Sequence, residues 1–114
     1  MKRPRIVLSD AAVADILEQS DWYQEQSGDK LAKRWESAVT SAVIRVVERP
    51  GAGALCNFKP AELHDVRRIS LAGFPKHLLF CEFKEKEKEK EKEKEKEILV
   101  LRVLHGARDL ESLL

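Results

Sequence analysis

Ile98-Leu99-Val100-Leu101-Arg102-Val103-Leu104-His105-Gly106-Ala107-Arg108-Asp109-Leu110 is the stretch that decides the fold. A nearly unbroken apolar and β-branched run leading into His-Gly predicts a strand covered on both faces and closed by a glycine free to take positive φ. Arg102 interrupts the run. A guanidinium there needs an anionic partner, a backbone acceptor or an open groove, because burying it unpaired is very costly.

Working outward, residues 5–8 predict a short first strand. Ser9 or Asp10 then offers side-chain oxygen to the orphan amides of a helix running to about Gln26. Val13, Ile16, Leu17, Ser20 and Tyr23 share one face of that helix at three- and four-residue spacing, and Asp15, Glu18, Asp21 and Glu25 make it acidic elsewhere. Ser27-Gly28-Asp29 stops it and starts a second helix, giving a hairpin. The second stripe is the cleanest in the chain: Leu31, Trp35, Ala38, Val39, Ala42 and Val46, with Lys33, Glu36, Thr40 and Arg45 turned away. Arg49-Pro50-Gly51 ends it, and residues 51–64 read as loop. Strands are expected near 66–71, 77–83 and 98–104, with Gly73-Phe74-Pro75 as the turn between the first two. Leu110, Leu113 and Leu114 would pack back as a short C-terminal helix. The expected architecture is α+β: an N-terminal strand, then a helical hairpin on one face of an antiparallel sheet, then the short helix.

The chain has 114 residues, enough for one compact domain, 1–114. Of its 21 basic and 20 acidic residues, seven of each lie in the Lys-Glu repeat of residues 84–97, which leaves 14 and 13 and an unchanged net charge of +1. That balance argues against a duplex-coating protein and against strong direct DNA binding alone, while leaving room for a local basic patch. The apolar residues after Met1-Lys2-Arg3-Pro4-Arg5 are too few for a signal peptide or a membrane span, so a cytoplasmic location is expected. Cys56 and Cys81 lack metal-ligand spacing and read as reduced thiols; no metal and no cofactor is expected.

On a helix, the repeat's strict alternation puts like charges at i+4 and unlike ones at i+3, so the two largely offset. On a hairpin Lys faces Glu across the strands, but both residues are poor strand formers and no turn residue is present. A disordered polyampholyte loop is therefore expected, with a charged hairpin extension as the alternative.

Several ordered segments resemble the ParE branch of the RelE/ParE toxins of bacterial type II toxin-antitoxin systems. They are Leu8-Ser9-Asp10-Ala11-Ala12-Val13-Ala14-Asp15-Ile16-Leu17, Trp22-Tyr23, Arg49-Pro50-Gly51, Val66-Arg67-Arg68-Ile69, Gly73-Phe74-Pro75, Leu78-Leu79-Phe80 and the Arg102-Val103-Leu104-His105-Gly106-Ala107-Arg108-Asp109 run. The repeat departs from the family, which joins these strands by a short turn. The resemblance implies the same α+β layout and a toxin, one associated with plasmid stabilisation, that poisons DNA gyrase without being an enzyme. It also implies a cognate antitoxin, a small DNA-binding dimer whose disordered tail folds around the toxin.

Arg67, Arg68, Arg102, His105 and Arg108 are the expected target-binding residues, and Trp22, Tyr23 and Trp35 the expected antitoxin contacts. Trp22 and Trp35 read first as core aromatics joining the helices. The alternative is a RelE-like ribosome-dependent messenger RNA endoribonuclease using His105, Arg102 and Arg68, which needs a base for the 2′-hydroxyl, cations for the phosphorane and an acid for the leaving oxygen. Against it, the RNases resemble one another in a lysine and arginine cluster and a late tyrosine; here Tyr23 is the only tyrosine, and Cys81 stands where relatives often carry one. An inactive binding-only homologue is a further alternative. Arg67 and Arg68 alternate along a strand, so one is expected to face solvent and the other to pair with a helical acid. The toxin surface requires the last strand to be interior and its cationic ends to converge on one concave surface.

Overall fold

The structure is a computed structural model describing residues 4–87, 94–106 and 113–114. Its elements are β1 (Arg5–Leu8), α1 (Asp10–Ser27), α2 (Asp29–Glu48), β2 (Ala54–Leu55), a 3₁₀ turn (Ala61–Leu63), β3 (Arg67–Leu71), β4 (Phe74–Glu87) and β5 (Lys94–His105). The strands form one five-stranded sheet in the order β1-β5-β4-β3-β2. The last strand is interior, as its apolar run requires. The sheet is mixed rather than wholly antiparallel: β2 to β5 alternate in direction, while β1 runs parallel to β5 with Val7 opposite Leu99. A crossover through the helical hairpin separates β1 from its partner, and this permits parallel pairing where a tight turn would not. β2 lies within the stretch expected to be loop.

Ser9 caps α1, its hydroxyl accepting from the Ala12 amide at 3.0 Å and donating to the Leu101 carbonyl at 2.7 Å. The cap therefore also ties the helix start to β5. Every apolar position of the α2 stripe turns inward, with Trp35 and Ala42 fully enclosed. In α1 the inward face is displaced from the expected one. Ala12 and Ser20 are buried and Ile16 and Tyr23 pack beside them, whereas Val13 and Leu17 are 40% and 56% exposed. Ala12 is small enough to let the helix approach the sheet closely, which leaves the bulkier neighbours outside; Ser20 satisfies its hydroxyl on Glu36 at 2.9 Å.

Both faces of the sheet are covered. The helices bury Ile69, Leu71, Leu79, Cys81, Ile98, Val100 and Val103. On the other face Val66, Phe80 and Leu104 form a smaller cluster with Cys56, Phe58, Leu63 and Leu114. Cys56 and Cys81 are free thiols, and burial pushes Cys81 up to about 11.

The turn between β3 and β4 is Ala72-Gly73, with Gly73 at φ +84°, so Phe74 and Pro75 already belong to β4. Proline is tolerated because the ladder breaks there: Ser70 pairs with Leu78 and Leu71 with Phe74, leaving Pro75, Lys76 and His77 unpaired on the β3 side. The described ends of the Lys-Glu repeat continue the strands, with Lys84 opposite Glu97 and Glu85 opposite Lys96. The expected C-terminal helix falls mostly on residues outside those described.

Candidate docking groove

The ladder irregularities on β4 and β5 frame a groove of about 720 Å³. Its walls are Asp15, Glu18, Gln19, Trp22 and Tyr23 of α1, Gly73 of the β3–β4 turn and residues 74–77 at the start of β4, and Val103, Leu104 and His105 close it. Bulges re-aim side chains beside sites of this kind. Here the unpaired Pro75-Lys76-His77 segment turns the start of β4 into a groove wall, and the Gly106 amide fixes it by donating to the Lys76 carbonyl at 2.7 Å.

His77 and His105 are directly opposite in the ladder, their rings 5.4 Å apart and nearly perpendicular. Trp35 supports His77 from beneath at 5.0 Å, edge to face, and Phe74 and Tyr23 complete the aromatic packing. Burial first, and the neighbouring His105 second, hold His77 below the ordinary histidine range. Tyr23 is pushed upward by burial, partly offset by a hydrogen bond with Gln19, so it stays a neutral phenol at neutral pH. The groove thus has an aromatic floor and a few polar groups at its rim, the composition of a recognition pocket.

Arg102 has found the anionic partner its position demanded. Its Nε and Nη2 donate to the two oxygens of Asp15, each at 2.7 Å, and Nη1 donates to the Leu113 carbonyl at 3.1 Å. Hydrogen bonding to Asp15 raises the guanidinium above its usual range. Asp15 Oδ2 also accepts from the Val103 amide at 3.0 Å. β1 ends at Leu8, and Ser9 and then Asp15 continue its hydrogen bonding along the edge of β5. The local bulge, in which Phe80 faces Arg102 and Cys81 faces Val100 with Leu101 extra, lets that side chain reach the edge.

The expected cations do not converge. Arg67 donates to the Gly51 and Gly53 carbonyls at 3.3 and 3.1 Å, so backbone, not a helical acid, engages it. That tether fits Gly53 closely, since a Cβ there would meet the Arg68 carbonyl at 2.5 Å. Arg68 is exposed and opposes Phe80 in the ladder, on the sheet face away from the helices, while Arg102, opposite Phe80 on the other side, bends round the β5 edge to Asp15. Arg67 and Arg102 are thus turned to separate backbone and carboxylate partners, and no arginine among the described residues lines the groove that holds His105. Arg108 lies outside the described residues. Trp35 is fully enclosed and Trp22 is 52% exposed, so Trp22 and the half-buried Tyr23 present the aromatic surface.

His77 and the pairing of Asp15 were missed from the sequence. Asp15 stood in the acidic face of α1, but nothing local joins it to a residue 87 positions away. His77 was visible only as the start of a strand. No group of three or more metal-ligating side chains occurs among the described residues.

Two helices on a mixed sheet, with an aromatic groove at the open end of the central strand pair, define a small α+β domain. The chain belongs to the ParE toxin family of the type II toxin-antitoxin system parDE, whose model matches residues 6–110. A solved structure described as the chromosomal ParDE toxin-antitoxin system from P. aeruginosa is similar in fold, with a TM-score of 0.64 at 20% identity over 90% of this chain and 96% of that one. No curated protein matches. No helix among the described residues is long and apolar enough to cross a membrane.

Proposed function

We propose that this chain is a cytoplasmic toxin that binds DNA gyrase and is neutralised by a cognate antitoxin. The observation that carries the non-enzymatic reading is how the arginines are used. Stabilising a phosphorane needs cations aimed at the reacting group, yet Arg102 is committed to Asp15 and the Leu113 carbonyl, and Arg67 to two loop carbonyls. The groove of His77, His105 and Lys76 between aromatic walls is the proposed target contact, with Arg68 and Arg108 as further candidates. Arg67 and Arg102 hold the scaffold.

The antitoxin tail is proposed to cover the exposed Val13, Leu17 and Trp22 of α1 and to reach Tyr23. Trp22 and Tyr23 are also groove walls, so an occupant there would block the target contact directly. Supercoiling assays with purified gyrase test the proposal: the toxin inhibits supercoiling or traps a cleavage complex, and His105→Ala or Trp22→Ala weakens this at least tenfold. No inhibition and no trapped complex at high toxin excess rejects it.

One observation favours the endoribonuclease reading. The groove gathers His105, His77, Lys76 and the only tyrosine, a set with acid, base and cation in one place. On that reading His105→Ala and His77→Ala each abolish toxicity and leave cellular messages intact.

A further inference from the structure

Beyond the toxin domain, β4 and β5 run on as a bare two-stranded ribbon. β3 reaches no further along β4 than Cys81, and β1 no further along β5 than Glu97. Both outer edges of the ribbon are thus unpaired among the described residues, the arrangement that invites edge-to-edge association with another chain. Its register is Lys84 to Glu97, Glu85 to Lys96, Lys86 to Glu95 and Glu87 to Lys94.

We infer that this strict charge alternation makes the ribbon pair with itself inside one chain and reject two-fold pairing with a second copy. The argument is one of parity. Within the hairpin the numbers of opposed residues sum to 181, an odd total, so each even-numbered Lys occupies the ladder position opposite an odd-numbered Glu. Two copies of one strand related by a two-fold axis obey a different rule. Opposed positions in an antiparallel ladder alternate between hydrogen-bonded and non-hydrogen-bonded pairs. The two-fold operation exchanges residue i opposite j with residue j opposite i, and these must be pairs of the same kind. Residues i and j therefore differ by an even number. In this repeat an even separation always sets Lys opposite Lys and Glu opposite Glu, and like charges directly opposed are destabilising. In-register parallel pairing meets the same obstacle.

Pairing the β4 edge of one copy with the β5 edge of another allows Lys opposite Glu, but it leaves a free edge at each end and does not close. Arg5, bridged to Glu97 at 3.8 Å, adds a cation where the ribbon leaves the sheet. This inference is independent of the toxin's target.

Two variants of the full chain test it. Replacing Lys84, Glu85, Lys86, Glu87, Lys94, Glu95, Lys96 and Glu97 by Thr removes the like-charge barrier while keeping strand propensity. Sedimentation velocity from micromolar to hundreds of micromolar should then show concentration-dependent association that the parent chain lacks. The exchange Lys94→Glu, Glu95→Lys, Lys96→Glu and Glu97→Lys sets like charges across the hairpin. Hydrogen exchange at residues 84–87 and 94–97 should accelerate at least tenfold, with protection of β3 and of residues 98–104 unchanged. A Thr variant that sediments like the parent overturns the inference, as does an exchanged variant whose ribbon amides keep their protection.

Discussion

The two ends of the β4–β5 pair share one backbone ladder and differ in everything laid upon it. At the groove end His77 opposes His105, and Trp35, Phe74 and Tyr23 pack against the pair. At the ribbon end Lys84 opposes Glu97 in the ladder, while their ion pairs run elsewhere, Lys84 to Glu82 at 3.7 Å along its own strand and Glu97 to Arg5 at 3.8 Å. Polar side chains are held in a defined position where a third layer packs on the ladder, and this is where a recognition site can be built. Pairing alone positions the backbone and leaves long charged side chains in high dielectric, where each pair contributes little.

The largest expected effect comes from removing that third layer. Trp35 is fully enclosed, touches His77 and Phe74, and donates its indole N–H to the Ile16 carbonyl at 3.1 Å. Trp35→Ala should lower unfolding free energy by about 3–5 kcal/mol. Native-state hydrogen exchange should show groove amides losing protection while ribbon amides change little. Equal loss at both ends would mean the two are one cooperative unit.

Next comes the buried edge of β5. Asp15 accepts from Nε and Nη2 of Arg102 and from the Val103 amide, leaving only Nη1 to the Leu113 carbonyl, and both side chains are largely covered. Asp15→Ala strands a partly buried guanidinium and a backbone donor, so a loss of about 2–3 kcal/mol is expected in chemical denaturation. Removing both partners, Asp15→Ala with Arg102→Leu, should recover part of that loss, because the stranded charge is gone.

Much of this architecture was legible in the chain. The α2 stripe, the Ser9 cap and the interior strand at residues 98–104 follow from periodicity and capping chemistry that act within a few residues. The rotation of α1 was not legible, because Val13 and Leu17 look as apolar as Ile16, and only the close approach at Ala12 decides which of them faces the sheet. The candidate groove was the least legible part. Its lining comes from three elements distant in sequence, and Pro75-Lys76-His77 enters it through a ladder break that no local pattern announces. The partners of Arg67 and Arg102 were not legible either, because those backbone carbonyls and that carboxylate become neighbours only on folding.

Acid should weaken the groove end selectively. His77 titrates below the ordinary histidine range because burial and His105 disfavour its charged form. A base whose folded-state value lies below its unfolded value of about 6.5 leaves stability intact above that pH; stability is then lost as pH falls through the window below it, where the unfolded chain takes up the proton first. Thermal unfolding from pH 8 to 5 should show this decline, and His77→Gln should flatten it. Proton NMR of the His77 ring should give a titration midpoint below 6.5. A midpoint above 6.5 would mean that groove carboxylates such as Glu18 outweigh burial.

The smallest expected effect is at the ribbon. Deleting one Lys-Glu unit, residues 88 and 89, removes two residues and so preserves the odd sum that sets Lys84 opposite Glu97 and Phe83 opposite Ile98. The connection between Glu87 and Lys94 shortens from six residues to four, and closure entropy changes with the logarithm of length, giving a difference of roughly 0.4 kcal/mol. Unfolding free energy and toxicity should both stay within measurement error of the parent, whereas Phe83→Ala, immediately before the same arm, removes apolar packing against the main core and should be felt. If the one-unit deletion instead destabilised the groove end, the ribbon would have to transmit order down the ladder, and the independence of the two ends would be lost.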